Sequence, residues 1–315
     1  MAGKTIAVVG ATGAQGSGVV RAILASGGEE FTVRALTRDV NSAKARELAD
    51  LGAEVVVGDY SSPDGLAQAF EGADGAFLVT DFWTHMDPEK EQAYVRNLID
   101  AVQKAGVKHV VWSTLEDTRE LIPVDDPRMP TLLGTYKVPH FDAKAEADEF
   151  FRAAGVPTTF LRTTFYYENL ADALAPACDG EGRLVLNIPM GDAPLAGIAS
   201  GDIGRVALSI FRGGSEYVGR TVSIAGDVLT GKEIAEALSD ALGEPVEYRP
   251  VTHDQFRAFG FPGADEYGNM LQYYTEFAAE FTGPRDPAKV RELTPEVRSL
   301  REWLAEVGYR LPTAA

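Results

Sequence analysis

A chain of 315 residues with 45% hydrophobic and 24% charged side chains has the composition of a folded globular protein, long enough for one large domain and a smaller lobe. Its formal charge of −18, from 47 acidic against 29 basic residues, repels a phosphate backbone, and no basic block offsets it, so direct nucleic-acid binding is not expected. No apolar run approaches the roughly 18 residues of a membrane span, and MAGKTIAVVG is too short and too soon interrupted by glycine for a signal peptide. The single cysteine, Cys178, excludes an internal disulfide and suits a reducing cytoplasm. His85, His109, His140 and His253 lack metal-ligand spacing, and no metal is expected.

In chain order, TIAVV reads as a buried strand and SGVVRAILASG as a helix ended by glycine. FTVRALTR is a second strand, and SAKARELADLG a helix opened by Ser42 and closed by Gly52. AEVVVGD, GAFLVT, VKHVVWST and VPTTFLRTTF continue the strands. PDGLAQAFEG, PEKEQAYVRNLIDAVQKAG and FDAKAEADEFFRAAG are the helices between them. Strand and helix alternate for about 165 residues, which implies a parallel sheet covered on both faces. The expected fold is α/β: a doubly wound parallel sheet of the Rossmann type over residues 1–165, with possible later returns of the chain to it. A smaller α+β lobe is expected over 166–315.

In the lobe, RLVLNIPM, RTVSIAG and PVEYRPV read as strands. LTGKEIAEALSDALG is a helix with Thr230 and Glu233 at capping-box spacing. THDQFRAFGF and DEYGNMLQYYTEFAAEF look helical, as does LTPEVRSLREWLAEVGY with Thr294 as cap and Pro295 in its first turn. The proline-rich segment at 116–139 reads as a long loop of the kind that serves as a lid, expected to order on a bound cofactor.

Three glycines, Gly10, Gly13 and Gly16, follow the first strand. In a doubly wound sheet this turn meets a pyrophosphate: the first glycine allows the turn, the second a close backbone approach, the third close helix–strand packing. The helix behind it offers free N–H groups and the positive end of its dipole. At the end of the second strand stands LTRD. Arg38, with Thr37 before it, suits the 2′-phosphate of NADP(H), while Asp39 suits the ribose hydroxyls of NAD(H) or caps the next helix, as does Ser42. NADP(H) is the expected cofactor, with NAD(H) as the other possibility.

The stretches VVGATGAQGSGVVRAIL, VRALTRD, GAEVVVGD, FLVTDFW, HFDAKAEADEFFRAAGVPTTFLR and YYENL together resemble the NmrA-like branch of the atypical short-chain dehydrogenase/reductases, nearest its NADPH-sensing HSCARG type. The similarity runs from Lys4 to about Leu311. It implies that Gly10, Ala11, Thr12, Gly13, Ala14 and Gln15, ahead of Gly16, line the pyrophosphate, and that Arg38 meets the 2′-phosphate. Asp59 and Tyr60 would border the adenine, and Thr80, Asp81 and Phe82 the nicotinamide side. Lys144 would reach the nicotinamide ribose, and Tyr166, Tyr167, Glu168 and Asn169 would close over the ring. The chain departs from such relatives in lacking lysines in NSAKAR and near Ala93, which should weaken NADP(H) affinity or its preference over NAD(H).

Reductases of that superfamily use a tyrosine, a lysine four residues on, and a serine at the end of the fifth strand. Ser113 and Lys144 are kept here, but His140 takes the tyrosine's place. His140 and Lys144 lie one helical turn apart, and an imidazole can move protons near neutral pH. The plainer reading makes His140 a helix-start residue bonded to a neighbour and Ser113 a strand end. Tyr136 reaches the same face only if the helix starts before Pro139, which proline disfavours. Phe82, Trp83, Phe165, Tyr166 and Tyr167 read either as an apolar pocket for a small planar substrate or as core. These residues leave two functions open. One is an NADPH-dependent oxidoreductase of a small carbonyl, quinone or imine. The other is a catalytically silent redox sensor of the NADPH/NADP ratio acting on a regulatory protein partner. Oligomeric state is left open, and a cytoplasmic location is expected.

Overall fold

The computed structural model describes residues 3–312; the extremes of the two expected domains, 1–2 and 313–315, lie outside the described residues. The elements are β1 (Lys4–Val8), α1 (Ala14–Ala25), β2 (Phe31–Thr37), α2 (Ala43–Asp50), β3 (Glu54–Val57), α3 (Pro63–Phe70), β4 (Gly75–Leu78), α4 (Pro88–Ala105), β5 (His109–Thr114), α5 (Pro139–Ala154) and β6 (Thr158–Arg162). Next come β7 (Phe165–Tyr166), β8 (Ala177–Cys178), β9 (Leu184–Leu186), β10 (Pro194–Ile198), α6 (Ser200–Gly213), β11 (Thr221–Ser223), β12 (Asp227–Thr230), α7 (Gly231–Leu242) and β13 (Val246–Tyr248). The chain ends in α8 (His253–Arg257), α9 (Ala264–Glu276), α10 (Ala278–Thr282), α11 (Pro287–Leu293) and α12 (Leu300–Val307). Two interleaved compact units result. The first holds the residues up to Asp117 with His140–Thr163 and Ser200–Ser223; the second holds Thr118–Pro139, Thr164–Ala199 and the residues from Ile224 onward.

The first unit is built on a seven-stranded sheet of order β11-β6-β5-β4-β1-β2-β3, every pairing parallel. The order reverses between β1 and β4, the switch point beyond which such sheets bind ligands. Ala7, Val9, Leu36, Leu78 and Trp112 on one face meet Leu66, Phe70, Val95, Leu98 and Phe151 of α3, α4 and α5. On the other side Phe211 of α6 packs on Phe31 and His109. Burial holds His109 down to about 4, so it sits there neutral, its Nε2 2.8 Å from Thr159 Oγ1. Helices α1 and α6 touch through glycine: a Cβ on Gly204 would lie 2.1 Å from the Gly18 carbonyl carbon.

Helix α6 escapes the sequence reading, and the strand read in RTVSIAG joins a different sheet from the one expected. RTVSIAG was expected in the lobe, yet Thr221, Val222 and Ser223 pair parallel with Phe160, Leu161 and Arg162 as the seventh strand of the main sheet. The preceding helix returns the chain there, its apolar side carrying Ile203, Val206, Ile210 and Phe211.

In the second unit, β10 pairs antiparallel with β12 and parallel with β7, and β9 lies between β8 and β13. Cys178 ends the two-residue strand β8 and is exposed. Thr230 and Glu233 form the expected capping box of α7. The last helix is shorter than expected. Thr294 ends α11 instead of capping the final helix, and α12 starts six residues later under a Ser299–Glu302 capping box. The long helix expected at 265–281 breaks at Phe277, whose φ and ψ of −118° and 35° are not helical.

The segment at 116–139 is more structured than a loop. It forms a short 3-10 turn at Thr118–Glu120 and a bridge between Leu132 and Tyr136. Within it Lys137 is fully buried, its Nζ donating to Asp126 O (2.7 Å), Met129 O (2.7 Å) and Thr131 Oγ1 (3.1 Å). Asn269 of α9 donates to Pro130 O and Lys137 O, and Gln272 to Arg128 O.

Candidate nucleotide site and active site

The glycine turn leaves β1 at Gly10, which has φ +65°, a conformation that disfavours any Cβ. Gly13 N–H donates to Gly10 O at 2.9 Å, closing the turn. A Cβ on Gly16 would sit 2.2 Å from Gly10 O, so only glycine lets α1 pack this close to the turn. Gly13 is the N-cap of α1, with no side-chain cap and no acid in the first turn. The helix therefore presents uncapped N–H groups and the positive end of its dipole. Thr12 is half-buried and Ala14 exposed beside them, while Ala11 is buried, its N–H donating to Leu36 O.

At the end of β2, Thr37 is buried and its hydroxyl accepts from Asp39 N–H at 3.4 Å. Arg38 is exposed and makes no hydrogen bond or ion pair with the described residues. Asp39 turns its carboxylate to its own backbone, accepting from Asn41 N–H at 2.8 Å, while Ser42 caps α2. Both residues that compete for the capping role are thereby placed. Asp59 accepts from Ser61 N–H at 2.9 Å, which holds its carboxyl below the usual range; Arg38 nearby adds to this. Tyr60 packs on Tyr94 with ring centres 5.1 Å apart and donates to Val79 O. Burial pushes its phenol up from the ordinary value.

Beyond β4 lies a buried polar cluster. Thr80 is 3% exposed. Lys144 of α5 donates to Thr80 O (3.0 Å), Thr80 Oγ1 (2.8 Å) and Glu91 Oε1 (2.8 Å), which uses all three of its N–H bonds. The Thr80 hydroxyl in turn donates to Glu91 Oε1. Glu91 itself is wholly buried. Burial opposes its charge, but Lys144 and the hydrogen bonds around it prevail and hold the carboxyl down to about 2. The Lys144 ammonium also lies 5.0 Å from the Trp112 ring centre.

His140, 6% exposed, packs against Trp83 and Phe82 at ring-centre distances of 4.8 and 6.2 Å. Trp83 is the exposed member, at 36%, and Asp81 is also exposed. Helix α5 begins at Pro139, so Tyr136 stays off the helix face that carries His140 and Lys144. Ser113 is buried at the end of β5, and its side chain makes no hydrogen bond with the described residues, His140 and Lys144 included. Of the three expected catalytic groups, His140 and Lys144 thus have defined surroundings, and Ser113 is not bonded to either.

Tyr166, Tyr167, Glu168 and Asn169 belong to the second unit. There Phe165 and Tyr167 are core: both are under 5% exposed, and Tyr167 packs against Trp303 at 5.8 Å. Tyr166 is half-buried in β7, and Glu168 and Asn169 lie in a short 3-10 turn.

Two site residues escaped the sequence reading: Glu91 and His85. Glu91 occupies a position in register with Val95, Leu98 and Val102 on the buried stripe of α4. An acid on an apolar stripe at helical spacing is the signal that would have found it.

A family model described as the NmrA-like family matches residues 2–304. An NAD(P)H azoreductase of Xenophilus azovorans is 33% identical over 251 residues, covering 79% of this chain and 78% of its own. Among solved structures, NmrA, a negative transcriptional regulator, superposes with a TM-score of 0.78 at 25% identity, covering 97% of this chain and 95% of its own. The NADPH-dependent quinone oxidoreductase of Escherichia coli, solved with NADPH, gives 0.74 at 26% identity over 96% and 100%. With its glycine turn at the switch point of the parallel sheet, this chain belongs to the NmrA-like family.

Proposed function

We propose that the chain binds NADP(H) and acts as an NADPH-dependent oxidoreductase on a small carbonyl, quinone or imine. The observation that carries the reading is the cradle at the switch point. Gly10 turns at a positive φ, Gly16 leaves no room for a Cβ, the N-terminus of α1 is uncapped, and Arg38 stands uncommitted at the end of the neighbouring strand. A pyrophosphate fits such a turn, and an exposed guanidinium fits a phosphate beyond it. The Asp39 carboxylate, which would repel that phosphate, is engaged by its own turn. The azoreductase and quinone oxidoreductase relatives support the class of reaction.

In this reading the bound nicotinamide supplies the hydride. Gly10 to Gln15 hold the pyrophosphate, Arg38 the 2′-phosphate, and Thr80, Asp81 and Phe82 border the nicotinamide side. His140, held by Trp83 and Phe82, gives the substrate its proton, and the exposed edge of Trp83 offers a planar apolar substrate a stacking face. Ser113 keeps a hydroxyl available to a substrate oxygen.

Arg38→Ala tests the cofactor reading. NADPH affinity should fall by about 10- to 100-fold and NADH affinity by no more than about twofold, since a charge-assisted phosphate contact is lost in one case only. Equal losses would refute the 2′-phosphate contact. A screen for NADPH consumption over quinones, azo compounds, aldehydes and imines tests the reaction, and unchanged turnover in His140→Ala would remove the proton donor.

The second reading is a silent redox sensor. It is favoured by the histidine at the superfamily's tyrosine position and by the regulator among the structural relatives. Tight NADPH binding with no turnover on any class would select it.

A further inference from the structure

The ammonium expected to meet the cofactor's ribose is already tied up inside the protein, and its ties lead back to a residue outside the reductase signature. Glu91 Oε1 takes hydrogen bonds from Lys144 and from the Thr80 hydroxyl. Its other oxygen, Oε2, faces His85 Nε2 at 3.3 Å. The tautomer of that imidazole is set by its second nitrogen. Nδ1 accepts from Asp87 N–H at 3.1 Å; a backbone N–H can only donate, so in the neutral ring the proton sits on Nε2, 3.3 Å from the carboxylate though not aligned for a hydrogen bond to it.

The turn that sets this up is strained, with Met86 between His85 and Asp87 at φ +51°. Such a conformation persists in a long side chain only where its surroundings impose it, commonly next to a functional group. Four elements thus converge on one wholly buried carboxylate: the end of β4 through Thr80, the strained turn through His85, α4 itself, and α5 through Lys144.

We propose that Glu91 is a positioning residue. It fixes the Lys144 ammonium as a positive charge at the carboxyl end of β4, and His85 lies against the other oxygen of Glu91. The role assigned to that ammonium rests on the cofactor reading above, whereas its dependence on Glu91 does not. Around Lys144, Glu91 faces its ammonium and His85 faces Glu91; Tyr60, packed on Tyr94, feels the Glu91 charge, and His140 and Asp148 lie one turn either way along α5. Among these, Glu91 alone makes a direct ion pair with Lys144. With Glu91 neutral, a nearly buried ammonium would lose its counter-charge and release its proton more readily.

The experiment is lysine Nζ NMR across pH on wild type, Glu91→Gln and Glu91→Asp, with the signal assigned by its loss in Lys144→Arg. NADPH affinity is measured on the same samples. The Lys144 signal of Glu91→Gln should titrate about two pH units below that of wild type, and Glu91→Asp should restore most of the difference, because loss of a buried counter-charge has that scale. NADPH affinity in Glu91→Gln should then fall about tenfold more between pH 7 and 9 than in wild type. Coincident lysine titrations would overturn the proposal. A lowered titration with an NADPH affinity that tracks wild type would overturn the positioning role as well, since the held ammonium would then not serve the cofactor. If Glu91→Gln does not fold, Thr80→Val, which removes one acceptor from Lys144 and one donor to Glu91, must shift the lysine titration in the same direction, and no shift refutes the idea. Absence of NADPH binding in wild type would refute the cofactor reading itself, with the lysine titration still deciding whether Glu91 governs Lys144.

Discussion

Each unit of this protein buries one lysine, and the two solve the same problem differently. Lys144 faces a carboxylate: Glu91 balances its charge, and Thr80 takes the two remaining N–H bonds. Lys137 donates to two backbone carbonyls and a hydroxyl, so neutral dipoles fill its three donor positions. Burial lowers the Lys137 ammonium from its ordinary value, with Asp126 and Asp125 opposing. A carboxylate partner gives a compact charged pair that holds one side chain in place. Carbonyl partners come from Asp126 and Met129, so the second arrangement folds a length of backbone around the ammonium. The first is suited to a site, the second to organising the segment at 116–139.

The largest effect should come from breaking the charged pair. Lys144→Met strands the Glu91 carboxylate and should destabilise the fold by about 3–5 kcal/mol near neutral pH, as loss of one partner of a buried pair does. Glu91 sets the sign of the pH dependence. In wild type it is held down to about 2 from 4.5, so its contribution is present above about pH 4.5 and disappears as pH falls through about 2. In Lys144→Met burial is opposed only by Thr80 and His85, the carboxyl rises, and the variant should be more stable in acid and lose stability as pH increases. Adding Glu91→Gln should recover about 2 kcal/mol or more, read as coupling in a double-mutant cycle by urea unfolding. Additive losses would mean the pair is not coupled.

Next in size is the neutral arrangement. Lys137→Met leaves three acceptors without their donor and should cost about 3 kcal/mol, with faster tryptic cleavage at Arg119 and Arg128. Here any acid preference should be weaker than that of Lys144→Met, because Asp126, which also acts on Lys137, keeps its ion pair with Arg128. A neutral Lys137→Met would break the comparison.

The smallest effect concerns a buried acid whose hydrogen bonds come from neutral donors. Asp148, 2% exposed, accepts from Trp112 Nε1 (2.9 Å) and Thr114 Oγ1 (2.7 Å). Burial pushes it up to about 7 against these hydrogen bonds and against Arg152 and Arg162 nearby. A raised carboxyl stabilises the fold below its ordinary value, near pH 4, and that benefit is lost as pH rises through about 7. Asp148→Asn removes this loss but buries an amide NH2, so a net gain on the order of 1–2 kcal/mol is expected at pH 8 and a net loss at pH 5. Parallel unfolding curves at the two pH values would refute it.

How much could be read from residues alone depends on the range of the interactions involved. The strand–helix alternation, the glycine turn and the caps at Ser42 and Thr230 rest on neighbours within a few positions, and all appear where the pattern put them. The failures lie where local signals compete. LTPEVRSLREWL offers two start signals, Thr294-Pro295 and Ser299 with Glu302, and packing of Leu300, Trp303 and Leu304 selects the second. RTVSIAG carries the pattern of a strand but nothing that says which sheet it joins; α6 carries it back to β6. Glu91 was hidden because its partners lie 11 and 53 positions away in Thr80 and Lys144.

The sequence by itself determined the parallel sheet and the glycine turn at Gly10–Gly16, because periodicity and glycine stereochemistry are local; Arg38 was marked by its place at the end of the second strand, and His140 and Lys144 by the family resemblance. Tertiary structure decided which of these groups are committed and which are uncommitted. Arg38 and Ser113 are left unbonded among the described residues, Lys144 has every donor filled, and His140 is packed between Trp83 and Phe141. Such commitments depend on which side chains the folded sheet brings within about 3 Å of each other. A buried charge takes its partner from wherever in the chain the fold supplies one.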